Sequence, residues 1–185
     1  MNYCNQCGAS VIRSIPEGDH LPRFVCSECH SIHYENPRII AGCIPELDNK
    51  ILLCRRAIEP KYGLWTLPAG FMENNETTLL AATRETMEEA NITLESPSLF
   101  SIFSIPHISQ VYMFYRGTIN SAITGPGTES LEIALFSEAE IPWNDLAFPV
   151  VSETLKLYFE HQHNHDATFN GAIIKTNDQL ITRFY

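Results

Sequence analysis

Basic residues are scarce in this 185-residue chain, and long apolar runs are missing. Lys and Arg total 12 against 22 Asp and Glu, which gives a formal net charge of −10. This balance argues against a nucleic-acid backbone as the default partner. No apolar run approaches the roughly 20 residues that cross a bilayer, and the N-terminus has neither the basic region nor the apolar core of a signal peptide. We therefore expect a cytoplasmic protein with no membrane partner.

Cysteine is also sparse, but four of the six cysteines form two C-x2-C pairs. In a reducing compartment such pairs indicate metal binding rather than disulfides. Four thiolates complete a tetrahedral Zn²⁺ site with no open position, so the site would be structural. A module this small has too little core to fold alone, and the metal supplies the missing stability. We predict a zinc ribbon at residues 1–37, with Zn²⁺ ligands Cys4, Cys7, Cys26 and Cys29.

The most informative stretch is Gly70 to Ile92, which contains a helix-forming run rich in acids. Glu85, Glu88 and Glu89 are spaced i, i+3 and i+4, so on a helix they share one face, about 5–6 Å apart. Such carboxylates repel one another unless a cation lies between them, and hard oxygen ligands suit Mg²⁺ or Mn²⁺. A solvated acidic face is the alternative interpretation.

The same stretch matches a longer pattern, G-x5-E-x7-R-E-U-x-E-E-x-G-U, in which U is a bulky aliphatic residue. We call this pattern the box, and the helix that it contains the box helix. The match departs at Thr86, in place of the first U, and at Asn91, in place of the second Gly. Thr86 is a β-branched near-substitute, and Asn is the best non-Gly residue for a left-handed helix cap. Neither departure removes a charged group. In this pattern the chain resembles the Nudix hydrolases.

The resemblance implies a role for each matching residue. The three acids would share metal binding and base work, with the Ala69 carbonyl as a further ligand. A Glu from a later loop would complete the site; Glu129 is the candidate and Glu132 its competitor. Glu76 and Arg84 would brace the loop against the helix. The implied catalytic residues are Glu85, Glu88, Glu89, Arg84 and Glu76, and the implied Mg²⁺ or Mn²⁺ ligands are Ala69, Glu85, Glu88, Glu89 and Glu129.

Hydrophobic patterning along the chain predicts strands, a helix, further strands and a final helix, which is an α+β class with a mixed sheet. The resemblance implies the Nudix α/β/α sandwich over residues 38–162, and we treat residues 163–185 as a C-terminal tail with either a short strand or partial order. We expect the box helix to begin near Glu76 after an Asn74 or Asn75 cap. Its acids should face away from the sheet, and its sheet-facing residues should be Leu79, Leu80, Thr83, Met87 and Ala90.

Residues outside the box bear on the substrate. The pattern implies a nucleoside diphosphate linked to a second group, without naming the compound. Zinc-ribbon Nudix enzymes that cleave NADH carry a Ser-Gln-Pro-Trp motif, whereas Ser109-Gln110 is followed here by Val111-Tyr112. The chain is similar instead to a group that hydrolyses ADP-ribose and FAD. Candidate substrate contacts, each with a structural alternative as a rim or core residue, are Arg55, Arg56, Trp65, Phe71 and Tyr112.

The resemblance therefore implies hydrolysis of ADP-ribose to AMP and ribose 5-phosphate, with FAD as an additional substrate. The alternatives are an NADH diphosphatase or decapping enzyme, and a non-catalytic Nudix-like sensor whose ribbon binds nucleic acid or protein. A homodimer is an open alternative by analogy. His161, His163 and His165 alternate with a spacing that suits either a metal or a solvated tail.

Overall fold

The N-terminal unit is a three-stranded antiparallel sheet. In the computed structural model, which describes residues 1–164, 166–177 and 179–185, residues Met1–Pro37 form a compact unit. Its strands are β1 (Val11–Ser14), β2 (Arg23–Cys26) and β3 (Ile32–His33), paired in that order. Each C-x2-C pair lies in a turn beside these strands. The third of the alternating histidines, His165, lies outside the described residues.

The second compact unit, Arg38–Tyr185, is built on a nine-stranded mixed sheet. Seven strands run in the order β10-β5-β4-β9-β8-β11-β12, while β6 pairs with β5 and β7 with β4. The β4–β9 and β8–β11 pairs are parallel and the others antiparallel. The strands are β4 (Arg38–Leu47), β5 (Lys50–Arg56), β6 (Trp65–Thr66), β7 (Ala69–Phe71), β8 (Leu94–Ile105), β9 (Gln110–Ile119), β10 (Ser130–Phe136), β11 (Phe169–Thr176) and β12 (Gln179–Phe184), and the helices are α1 (Thr78–Ala90) and α2 (Pro149–Glu160).

The two helices cover opposite faces of the sheet. Successive strand residues point to opposite faces, and on β4 Cys43 packs with Ala81 and Ala82 of α1, whereas Ile44 packs with the core around α2. The same alternation on β5 places Leu53 on the α2 side and Leu52 on the other. This arrangement confirms the predicted α+β class with a mixed sheet between helices.

The buried face of α1 differs from the prediction. Leu80 and Met87, predicted to face the sheet, are 57% and 41% exposed, whereas Ala81 and Ala82 are fully buried together with Ala90, the predicted residue that is confirmed. Small side chains let the helix approach the strands closely, and Glu89 on the same helix is buried against β7, with 6% of its surface exposed. The expectation that all the acids face away from the sheet is therefore wrong.

The start of α1 also differs. The N-cap is Thr77, whose hydroxyl accepts a hydrogen bond from the Leu80 N–H at 3.1 Å. Asn75 lies in the preceding loop with a left-handed φ of 70°. The predicted C-terminal cap is confirmed, since Asn91 is left-handed (φ 52°, ψ 37°) and its N–H donates to the Met87 carbonyl at 2.9 Å.

The C-terminal residues complete the sheet. β11 lies parallel to β8, and β12 folds back antiparallel on β11. Residues beyond 162, predicted as a separate tail, therefore contribute two strands to the second unit. In the part of the chain that the structure describes, no helix is both long and apolar enough to cross a membrane.

Candidate active site and metal centres

The four ribbon cysteines converge on one point. Their sulfur atoms all lie within 4.8 Å of one another, with Cys4 Sγ 3.7 Å from Cys29 Sγ and Cys7 Sγ 3.4 Å from Cys26 Sγ. A ZnS₄ tetrahedron with bonds of about 2.3 Å has edges of about 3.8 Å. Backbone N–H groups also point at the sulfurs, as in the 3.4 Å contact from Gln6 N to Cys4 Sγ. The cluster therefore has the donors and the spacing of a closed zinc site.

The second centre is organised around Arg84. Its guanidinium donates to both Glu76 oxygens, at 3.1 Å from Nε and 2.9 Å from Nη2. Nη2 also donates to the Phe71 carbonyl at 3.2 Å. These contacts join the middle of α1 to the loop before it, and the guanidinium lowers the pKa of Glu76 below its usual range. The pairing is a bidentate fork, which a Lys could not reproduce.

The remaining Arg84 nitrogen lies between two acids of the helix. Nη1 donates to Glu85 Oε1 at 2.7 Å and to Glu88 Oε2 at 3.0 Å. Glu85 also lies directly beneath Gly70, where a Cβ would collide with its carboxylate. A side chain at this position would therefore displace the Glu85 carboxylate from its place beside Arg84.

Glu89 lies deepest of the three acids. Its Oε2 accepts a hydrogen bond from the Ala69 N–H at 3.3 Å. Burial, followed by repulsion from Glu85, raises the pKa of Glu89 to about 8. Burial also raises the pKa of Glu85, in spite of its hydrogen bond to Arg84, and nearby Glu88 and Glu129 add to the rise. Uncompensated negative charge at this position is costly, and an added cation would relieve it.

This donor set fits a divalent cation. It consists of hard carboxylate oxygens on a rigid helix, and Arg84 Nη1 occupies the position between Glu85 and Glu88 that a cation prefers. Among the described residues only the cysteine cluster already brings three or more ligand atoms within 4.8 Å of one another. Glu85 and Glu88, in contrast, are turned toward Arg84, so binding an ion would require their carboxylates to rotate away from it.

The two candidates for the later-loop acid are separated by the structure. Glu129 precedes β10 and lies close enough for its charge to raise the pKa of both Glu85 and Glu89, although burial is the larger cause in each case. Glu132 pairs with Arg55 at 3.6 Å and is largely exposed. The structure thus brings Glu129 to the acids of α1 and leaves Glu132 in another ion pair.

The candidate substrate contacts also divide. Arg55 is held by Glu132 and by the Gly63 carbonyl, which accepts from its Nε at 2.9 Å. Arg56 donates its Nε to the Pro60 carbonyl at 2.9 Å, and its guanidinium lies 5.2 Å from the centre of the Phe148 ring. Its positive charge acts on Glu89 and on Tyr112, although burial dominates and raises both pKa values. Arg56 therefore shares a region with the acids.

The three aromatic candidates occupy different environments. Trp65 packs edge-on against Phe136 at 5.0 Å and belongs to the core around α2. Phe71 is 49% exposed beneath the Arg38 guanidinium. Tyr112 is partly buried, stacks on Phe114 at 6.2 Å, and feels the charge of Arg56. Of the three, Tyr112 is the one close enough for the charge of Arg56 to act on its hydroxyl, and Phe71 is the one whose carbonyl accepts from Arg84.

Comparison with known families agrees with this geometry. A zinc-ribbon model described as "Nudix N-terminal" matches residues 2–35, and the model "NUDIX domain" matches residues 36–158. The chain belongs to the Nudix hydrolases. It is similar to a Nudix hydrolase from Nitrosomonas europaea, whose crystal structure superimposes with a TM-score of 0.90 at 56% identity, covering 95% of this chain and 100% of that one. This Nudix hydrolase therefore has the predicted fold, and the family uses divalent metals.

Curated relatives carry two different names. An "NAD-capped RNA hydrolase NudC" from Photobacterium profundum is 27% identical over 88% of this chain and 61% of its own length. An "ADP-ribose pyrophosphatase" from Methanocaldococcus jannaschii is 40% identical over 40% of this chain and 43% of its own length. This Nudix hydrolase thus spans less than two thirds of the length of either relative.

Proposed function

We propose that this Nudix hydrolase cleaves the diphosphate of ADP-ribose, adding water across the P–O–P bridge to release AMP and ribose 5-phosphate. The observation that carries the proposal is the complete set of acids around Arg84. In this proposal Glu85, Glu88 and Glu89 of α1 would hold Mg²⁺ or Mn²⁺ together with Glu129 and the Ala69 carbonyl. When bound, such ions neutralise phosphate oxygens and lower the pKa of a water nucleophile.

The side chains of this site have separate tasks. Arg84 and Glu76 fix the loop that follows β7 against α1, because their fork spans both elements. Glu88 and Glu89 are the principal ligands, and Glu85 is a ligand or the base that takes the proton of the attacking water.

The preference for ADP-ribose rests on residues outside the box. Gln110 begins β9 directly and continues into Val111 and Tyr112, without the Pro-Trp associated with NADH cleavage. In this proposal Arg56 binds a substrate phosphate and Tyr112 contacts the base or ribose. FAD is the second substrate of the proposal, since it shares the ADP half.

The alternative is cleavage of NADH or of an NAD cap. The name of the Photobacterium profundum relative and its match to 88% of this chain favour it. The chain's net charge of −10 is unfavourable for a long RNA. A Nudix-like sensor is the remaining alternative, and it would have no need to keep every acid.

The test is a substrate panel with the purified protein in Mg²⁺ or Mn²⁺. ADP-ribose, FAD, NADH, NAD-capped RNA and a nucleoside triphosphate are compared by the release of AMP or phosphate. The proposal expects the highest kcat/KM with ADP-ribose. A higher value with NADH or capped RNA would establish the alternative. Binding of ADP-ribose without turnover of any compound would establish the sensor.

A further inference from the structure

Asn91 departs from the box pattern, and its side chain makes contacts that the pattern's glycine could not. The residue ends α1 in a left-handed conformation, which Gly and Asn both tolerate. The backbone requirement is therefore met by either residue. The side chain is an addition, and its amide donates to two carbonyls, those of Gly125 at 3.2 Å and Pro126 at 3.0 Å.

These two carbonyls belong to the loop that leads to Glu129. Next to them, the Gly127 N–H donates to the Glu89 carbonyl at 2.9 Å, and a Cβ on Gly127 would collide with the Glu88 carbonyl oxygen. The loop thus lies directly on the last turn of α1. On its far side, the Glu129 carbonyl accepts from the Ala57 N–H at 2.8 Å. The backbone around Glu129 is therefore anchored at both ends.

We propose that Asn91 is a positioning residue that clamps the 125–127 segment onto the C-terminus of α1 and so keeps Glu129 beside the metal-binding acids. The proposal rests on the assignment of Glu129 to the metal site. If the segment lifts, Glu129 moves away, and the apparent metal affinity falls with the fraction of molecules in the clamped state. The two Asn91 hydrogen bonds raise that fraction beyond what the Gly127 N–H bond to Glu89 supplies, so their loss weakens metal binding without removing any ligand.

The test is Asn91→Gly, which restores the residue of the family pattern and keeps the left-handed backbone. Mn²⁺ affinity is measured by calorimetry on protein whose zinc content is unchanged, and amide exchange is followed at Gly127. We expect Mn²⁺ binding to weaken about three- to tenfold, from the loss of two exposed hydrogen bonds, and the Gly127 amide to exchange faster. Asn49→Gly, at another left-handed Asn in the β4–β5 turn, is the matched control and should change neither quantity.

Two further variants separate the positioning role from the ligand assignment. Glu129→Gln should weaken Mn²⁺ binding more than Asn91→Gly, and adding Asn91→Gly to it should cause no further loss, because coupled residues are not additive. Unchanged Mn²⁺ binding in Glu129→Gln would overturn the metal role of Glu129. A loss in Glu129→Gln with wild-type Mn²⁺ affinity in Asn91→Gly would overturn the clamp alone. If Asn91→Gly weakens Mn²⁺ binding as much in the Glu129→Gln variant as in the wild type, Asn91 acts independently of Glu129. That result would also overturn the clamp.

Discussion

Replacing Glu89 by Gln should remove a pH dependence from the free energy of unfolding. In the folded protein burial raises the pKa of Glu89 to about 8, from a usual value of 4.5. Between these values the folded state keeps the proton and the unfolded state releases it. Unfolding therefore becomes easier as pH rises through this window when no divalent ion is bound. The substituted glutamine side chain has no proton to lose, and its amide oxygen can still accept from the Ala69 N–H.

The size of the effect follows from the same values. One pKa unit corresponds to about 1.4 kcal/mol, so the window sets an upper limit of about 5 kcal/mol. We expect about 2–3 kcal/mol, because protein relaxation and water reduce the cost of a buried charge. At pH 8 Glu89→Gln should thus be more stable than the wild type, with a melting temperature higher by about 2–4 °C per kcal/mol.

The assay is denaturant unfolding from pH 5 to pH 9 after dialysis against Mg²⁺- and Mn²⁺-free buffer that leaves the ribbon zinc in place. Glu132→Gln is the control, since this acid is exposed and should keep the wild-type profile. Adding Mn²⁺ should then stabilise the wild type by mass action and the Glu89 variant much less. Parallel pH profiles for Glu89→Gln and the wild type would refute the burial argument.

Three other predictions test the rest of the active site and the zinc ribbon. Arg84→Lys should lower kcat at least about tenfold, because a single ammonium cannot reproduce the fork to Glu76; wild-type turnover would contradict the bracing role. Arg56→Ala should lower kcat/KM for ADP-ribose about 10- to 100-fold, the value of a charge-assisted contact. Arg55→Ala is the control and should change kcat/KM little. Equal effects of the two substitutions would argue against a substrate contact made by Arg56 alone. Metal analysis should find stoichiometric zinc in the wild type and none in Cys26→Ser. Undiminished zinc in the variant would exclude the ribbon site.

Short-range spacing explains what could be predicted about the site. Residues at i, i+3 and i+4 share a helical face whatever surrounds the helix, so Glu85, Glu88 and Glu89 were recognisable as a group. The left-handed conformation of Asn91 is likewise a local property of the residue and its position. The contacts of its side chain were missed, although the departure from the family's glycine was a visible signal.

Long-range packing accounts for what could not be predicted. The 3.6-residue period placed Leu80 and Met87 toward the sheet, because hydrophobicity alone favours large apolar residues in the core. Instead, Ala81 and Ala82 of α1 pack against the strands, and their small side chains permit the closer approach that buries Glu89. The pairing of β11 with β8 joins residues about 70 positions apart, and no local pattern encodes such a partner.

The sequence by itself therefore determined the class of chemistry, through the acids and arginine of the box, and the four-cysteine ribbon. Tertiary structure decided which acid is buried, which later glutamate joins it, and which of two adjacent arginines lies near the site. The physical reason is that residue type and spacing specify donors and local backbone, whereas burial and charge pairing arise only when distant segments pack together. Glu129 and Glu132 are the same residue type, three positions apart. Glu132 pairs with Arg55, whereas Glu129 follows the loop whose carbonyls accept from the Asn91 amide.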